Sequence, residues 1–332
     1  WRWAALAGLV LFVLATAGWT AAPQESSIVL TGQVINATGG AAPADLPITL
    51  HVLSQSGETT VYTTTTAFNG VFRLDGVDAD RAESAFARTV YQGVSYTSEM
   101  ATLDPGQTEL ALAITIHEAT QRRPDIRITQ LHIFLERGAG HLQVGEHYLI
   151  GNGDRRTWIG SPAPAVERRI TLAFTLPDGA HGLWFDGPGL GERFVAWDSS
   201  FADTQPVPPG AESVEVLFGY TLPYRDGLRV TRVFDAPVDS IVLLSTQAAD
   251  VSIAGETIAP AGGLDTAMGA AESYTAAPLA EGQSLTFSVH TLPHAAPAGN
   301  AWRETAVGLF ALVAAFTAAY WLWRPPRLPA EA

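Results

Sequence analysis

The chain of 332 residues has no cysteine and no lysine, and only two methionines. Without cysteine there can be no disulfide, c-type haem attachment, cysteine-ligated iron–sulfur cluster or cysteine nucleophile in this chain. The scarcity of methionine removes methionine-rich copper sites. With lysine missing, all 19 basic residues are arginine, and they adjoin one another only at Arg122-Arg123, Arg155-Arg156 and Arg168-Arg169. Charge is sparse, at 16% of residues, and the net charge is −14. That balance argues against nucleic acid, whose phosphates demand clustered cations. It also argues against an anionic membrane surface as the ligand of the central body.

Catalytic signatures are missing as well. There is no Gly-x-Ser-x-Gly elbow and no His-Glu-x-x-His pair. Gly187-Pro188-Gly189-Leu190-Gly191 reads as a turn, not a phosphate loop. Asp75, Asp78, Asp80 and Glu83 crowd one loop, but their spacing departs from an EF-hand and a solvated loop is expected. Among the carboxylate pairs Asp75/Asp78 and Glu212/Glu215, the latter flank the polar positions of a strand, and a glycosidase pair would need a spatial convergence that spacing alone does not give.

Two apolar segments bracket the chain. Trp3 to Trp19 follows Arg2, and Trp302 to Trp323 precedes Arg324 and Arg327. Arginines on the outer flanks put both ends in the cytoplasm by the positive-inside rule. Ala15-Thr16-Ala17 has the form of a signal-peptidase site, yet Trp3 and Trp19 bracket the segment as an interfacial belt would. The expectation is an uncleaved signal anchor over 1–22, a second span over 302–324 and a cytoplasmic tail over 325–332. Trp302, Tyr320, Trp321 and Trp323 would anchor the second span at the interface, with Gly308, Ala311 and Ala315 allowing close helix approach. This places the protein in the cytoplasmic membrane, two-pass, with its body on the periplasmic or extracellular side.

Between the spans, strands dominate. Ile28, Leu30 and Val34 alternate along 27–36. A second strand runs through Pro47-Ile48-Thr49-Leu50, and a threonine-rich one over 61–66 leads to the hairpin signal Asn69-Gly70. Strands through 87–100 and 110–116 complete a β-sandwich over 27–120. Gly32-Gln33-Val34, Leu46-Pro47-Ile48-Thr49-Leu50, Thr64 to Phe72 and Tyr91-Gln92-Gly93-Val94-Ser95-Tyr96 resemble the carboxypeptidase-regulatory-like (transthyretin-like, Ig-related) domain. That resemblance spans about 90 residues and implies a non-catalytic module, with no reaction attached.

A second sandwich is expected over 124–296. Its clearest alternation is Val166, Arg168, Ile170, Leu172, Phe174 and Leu176. Further strands are expected at 126–135, 193–197, 213–222, 228–234, 240–244, 251–253 and 284–292. Three end alike, at Leu176-Pro177, Leu222-Pro223 and Leu292-Pro293, because proline cannot donate to a ladder.

Two sets of residues bear on function. His132, His141 and His147, with Glu136 and Glu146, lie close in sequence, but their spacing matches no metal pattern, and no metal ligand is assigned. Aromatics concentrate in the second body, where most are expected in the core. Trp184 and Trp197 are the candidates for an exposed interaction surface.

The expected fold is therefore all-β: two tandem Ig-like β-sandwiches flanked by two transmembrane helices. The expected function is a non-catalytic accessory or scaffold subunit of a larger membrane complex, an electron-transfer complex being one setting the resemblance admits. Its partners would be membrane lipids and other subunits, with no nucleic acid, cofactor or metal. The alternative is a surface-anchored carbohydrate or cell-wall binder using Trp184 and Trp197.

Overall fold

The computed structural model describes residues 27–292, except 55, 79–81, 105, 198–199, 247–249 and 267–268. These residues form strands and two 3-10 turns. The fold is all-β. The expected two-pass membrane placement is corrected: among the described residues no helix is long and apolar enough to cross a membrane. The segments 1–22 and 302–324, with Trp302, Tyr320, Trp321 and Trp323, lie outside the described residues.

The chain divides into two compact units. The first comprises residues up to Val34, Ala42–Thr89 and Thr97–Ile114; the second comprises Ile35–Ala41, Val90–Tyr96 and the residues from Thr115 on. The early strands are β1 (Ser27–Asn36), β2 (Pro47–Leu53), β3 (Thr59–Thr65), β4 (Val71–Asp78), β5 (Ser84–Tyr91), β6 (Val94–Thr97), β7 (Ala101–Thr102) and β8 (Glu109–Ile116). They make two sheets, ordered β4-β1-β8 and β3-β2-β5-β6, with β7 on β5. Period-two alternation buries one face of each: Leu30 and Ile114 in the first sheet, Ile48 and Leu50 in the second. The turn at Asn69-Gly70 departs from expectation. It joins β3 to β4, which belong to different sheets, so it carries the chain across the unit instead of closing a hairpin. Both residues sit at positive φ, 66° and 75°. A Cβ on Gly70 would lie 2.6 Å from the Val34 carbonyl oxygen, so only glycine fits there.

The later strands are β9 (Ala119–Thr120), β10 (Ile126–Arg137), β11 (His141–Asn152), β12 (Thr157–Trp158), β13 (Ser161–Ala163), β14 (Arg168–Ile170), β15 (Leu172–Phe174), β16 (His181–Phe185), β17 (Phe194–Trp197), β18 (Ser200–Asp203), β19 (Gly210–Pro223), β20 (Leu228–Val233), β21 (Ile241–Thr246), β22 (Val251–Ala254), β23 (Ile258–Thr266), β24 (Gly269–Ala276) and β25 (Ser284–Thr291). Seven form one sheet, β16-β19-β11-β10-β21-β24-β23. Its central pair, β10 and β21, is parallel, while the others are antiparallel. Two three-stranded sheets, β15-β18-β17 and β20-β25-β22, connect through a bridge between Phe174 and Phe234. Ile133, Val144, Phe218 and Leu243 of the large sheet share one core with Phe174, Phe201, Val230 and Phe287 of the smaller ones.

The long alternation over 166–176 does not form one strand. β14 pairs with β13, and β15 pairs with β18. Thr171, between them, directs its N–H and its hydroxyl to the Asp203 carbonyl, at 2.9 and 3.1 Å. Glu167 adopts φ 53° and breaks the alternation at its start. A hydrophobic period of two describes which side chains are buried; it does not require one continuous ladder.

Candidate functional site

The two faces of the large sheet carry different chemistry. Leu131, Ile133 and Leu135 of β10 point into the core. His132, Phe134 and Glu136, between them, occupy the opposite face. Strand pairing then lines up side chains across the outer face in rows. One row runs Trp184, Gly219, Gly145, Phe134, Leu244, Ser273 and Gly262 across all seven strands. The next row runs Leu217, His147, His132 and Val242.

The first row places a tryptophan beside two glycines. A Cβ on Gly219 would lie 2.4 Å from Trp184 Cζ2 and 2.7 Å from its Nε1, so the indole lies directly over this glycine. Trp184 and Val242, both half-buried, cover a small apolar cluster of Phe134, Leu217 and Leu244. The neighbouring row of the same face is polar: Thr221 of β19 pairs with His181 of β16 and with Gln143 of β11. Asp186 follows on the far side, its N–H donating to the Leu217 carbonyl at 3.0 Å.

In the second row, the His147 and His132 rings lie 5.8 Å apart. His147 is buried, and its Nε2 bonds Glu215 Oε1 at 2.6 Å. That bond holds the Glu215 carboxyl below the usual carboxylate range. Burial, with the His147 ring beside it, pushes His132 down to about 4. His132 also meets Phe134 edge-on, with ring centroids 6.4 Å apart. At neutral pH His132 is therefore uncharged, and the Glu215 carboxylate stands at the edge of the row.

The inner face contains a closed charged cluster. Glu146 occupies a core position on β11, and Arg232 occupies one on β20; their exposures are 0% and 1%. Arg232 Nε and Nη2 donate to the two Glu146 oxygens at 2.6 and 2.8 Å. The hydroxyls of Tyr148 and Tyr220 donate to the same carboxylate at 2.5 and 2.6 Å. Burial first, then the Glu146 charge, raises both tyrosines well above their ordinary range. Burial opposes the Arg232 charge, but Glu146 and the two tyrosines outweigh it, so the guanidinium stays protonated. This network is sealed in the core and reads as a structural element that fixes sheet registry.

The structure does not bring the candidate tryptophans together. Trp197 is half-buried on β17, in a different sheet from Trp184. Phe185 and Phe194 stack at 4.4 Å between these sheets, and by strand alternation each tryptophan points away from that stack. His141 stands at the start of β11 with its Nδ1 on the Ala139 carbonyl, remote in register from the His132–His147 pair. Among the described residues no group of three or more histidines and carboxylates is placed to hold a metal ion. Sequence reasoning missed Gly145, Gly219 and Arg232. Gly219 had a signal, since it falls on an outward position of the strand expected over 213–222; Gly145 had none, and Arg232 had none beyond its place in the β20 alternation.

No known protein-family profile and no curated protein matches this chain. Among solved structures, similarity reaches a protein of Bacteroides uniformis provisionally named carbohydrate-binding, at 9% identity, covering 63% of this chain and 90% of that one, with a TM-score of 0.20. A provisionally named cell adhesion protein of Bacteroides eggerthii aligns at 10% identity over 67% and 86% of the two chains, with a TM-score of 0.24. The major pilin subunit BcpA of Bacillus cereus aligns at 10% identity over 79% and 95%, with a TM-score of 0.22. At these TM-scores the likenesses carry no argument about function.

Proposed function

We propose that this chain is a non-catalytic binding protein that holds a carbohydrate on the outer face of the seven-stranded sheet, with Trp184 as the stacking platform. The observation that carries this reading is the Trp184 indole seated on Gly219, half-exposed and bordered by Thr221, Gln143, His181 and Asp186. A rigid aromatic plane surrounded by groups that exchange hydrogen bonds with hydroxyls suits a ring with one apolar face and a polar rim. Docking of a protein partner on the same face is less favoured. Phe134, Leu217 and Leu244 are already covered, whereas a stable protein interface needs about 800 Å² per partner with an apolar centre. In this reading the first unit, with its likeness to the carboxypeptidase-regulatory-like domain, serves as a non-catalytic module. The electron-transfer setting expected from the sequence finds no support.

The test is a glycan array followed by calorimetry on the best ligand. Trp184→Ala should weaken binding by about 2 kcal/mol, roughly thirtyfold in Kd, while the melting profile stays cooperative. Unchanged affinity in this variant, or no glycan bound by the parent chain, would overturn the reading.

A further inference from the structure

A second concavity lies on the outward side of β20-β25-β22, and it does not involve the Trp184 face. It encloses about 390 Å³ and is lined by Gly227, Arg229, Glu256, Thr286, Ser288 and His290, among others. That volume falls within the range of small-ligand sites.

Its arginine has no ion-pair partner of its own among the described residues. Arg73, Arg123, Arg127, Arg193 and Arg232 each hold a carboxylate. Arg229 is exposed and has no carboxylate within 4.0 Å among the described residues, although the chain carries a net charge of −14. Arg229 pairs in register with Ser288, and Ser288 with Ala254, so these residues form one row on the outward face.

A hydrogen-bond chain orients the histidine. The Ser288 hydroxyl donates to the Ala254 carbonyl at 3.2 Å, which commits its proton. His290 Nε2, 3.0 Å from Ser288 Oγ, must therefore be the donor in that contact. This leaves Nδ1 as the open ring nitrogen. A Cβ on Gly227 would stand 3.6 Å from His290 Cε1 and 3.9 Å from Nδ1; glycine leaves that edge of the ring uncovered. Gly227 also needs its freedom for a φ of 76°. An unpaired guanidinium, an imidazole with its free nitrogen open to the cavity and the Thr286 hydroxyl thus share one small concavity. Glu256 is the carboxylate of the lining.

We propose that this concavity binds an acidic sugar, its oxyanion clamped by Arg229 and its hydroxyls met by Glu256 and Thr286. The guanidinium offers paired N–H donors to a carboxylate or a phosphate ester. The His290 ring lines the same concavity and offers its open edge to a sugar hydroxyl.

Calorimetry on the full chain with a galacturonate trisaccharide, glucose 6-phosphate and neutral maltotriose separates the cases. The acidic probes should bind, more weakly as salt is raised. Arg229→Gln should weaken them about tenfold or more, the scale of one lost charge-assisted contact, without changing maltotriose. The tighter of the two acidic probes identifies carboxylate or phosphate as the preferred group. The proposal fails if both acidic probes bind the Arg229→Gln chain as tightly as the parent, or if neither binds at millimolar concentration. It fails too if Trp184→Ala, and not Arg229→Gln, abolishes the acidic probes; that result would leave the Trp184 reading standing.

Discussion

Glu146 and His147 are neighbours on β11, and they show how the two faces of one sheet treat an ionisable side chain. On the inner face, the buried Glu146 carboxylate is surrounded: a guanidinium and two phenols donate to it. On the outer face, burial suppresses charge instead. His132 is driven toward its neutral form, and His147 is tied to an exposed carboxylate. The core thus tolerates a full ion pair because both partners arrive on rigid strands, whereas the outer row stays open to solvent at its edge and keeps His132 neutral. The inner face fixes the fold, and the outer face remains available to a ligand.

The largest expected effect tests the inner face. Arg232→Met leaves a buried carboxylate without its cation and should cost about 3–5 kcal/mol in urea unfolding. The double variant Glu146→Leu with Arg232→Met should recover most of that loss. A single-variant loss under about 1 kcal/mol would mean that the two faces do not differ in this way.

The next test is acid titration of the outer face. The folded His132 value, about 4, lies below its ordinary value of 6.5, so the unfolded chain binds more protons between these two limits. Stability should therefore fall as pH drops from 6.5 to about 4, by at most about 3 kcal/mol from this group. Glu215 has a lowered value, and its contribution is lost only as pH falls further, through that value. Comparing unfolding of the parent and His132→Leu chains at pH 7 and 4.5 isolates the histidine; equal slopes would contradict the assignment.

A smaller effect should follow from Gly219→Ala. The added methyl meets the indole at 2.4 Å and must displace it. About 1–3 kcal/mol of stability should be lost, and Trp184 emission should shift to longer wavelength. An unchanged spectrum would show that the indole does not rest on this glycine.

Much of the strand content was legible from alternation alone. Ser27–Asn36 buries Ile28, Leu30 and Val34 at a period of two, while the long β19 is buried on both faces over 216–220. The twelve-residue β11, at the heart of the large sheet, was not anticipated. Its inward series of Leu142, Val144, Glu146, Tyr148 and Ile150 contains a carboxylate where an apolar residue would mark a strand. Its glycines, Gly145 and Gly151, also weaken strand propensity. The compensating residue, Arg232, is far away in sequence, so no local window contains both halves of the explanation. The candidate site was half visible for the same reason. Trp184 stands out as a residue, but the glycine beneath it and the polar groups around it come from β19 and β11, and only the register brings them together.

The parallel pairing of β10 with β21 has a kinetic consequence. Leu131 lies against Ile241, with roughly a hundred residues of chain between them, so this contact closes a long loop. The antiparallel hairpin β10-β11 involves much shorter separations and can assemble first. Until β21 arrives, the long β10 presents an unpaired apolar edge, the kind of surface that recruits other chains. Refolding yield should therefore fall with protein concentration, and a chain interrupted before Ile241 should be lost to aggregation even though its first unit is intact.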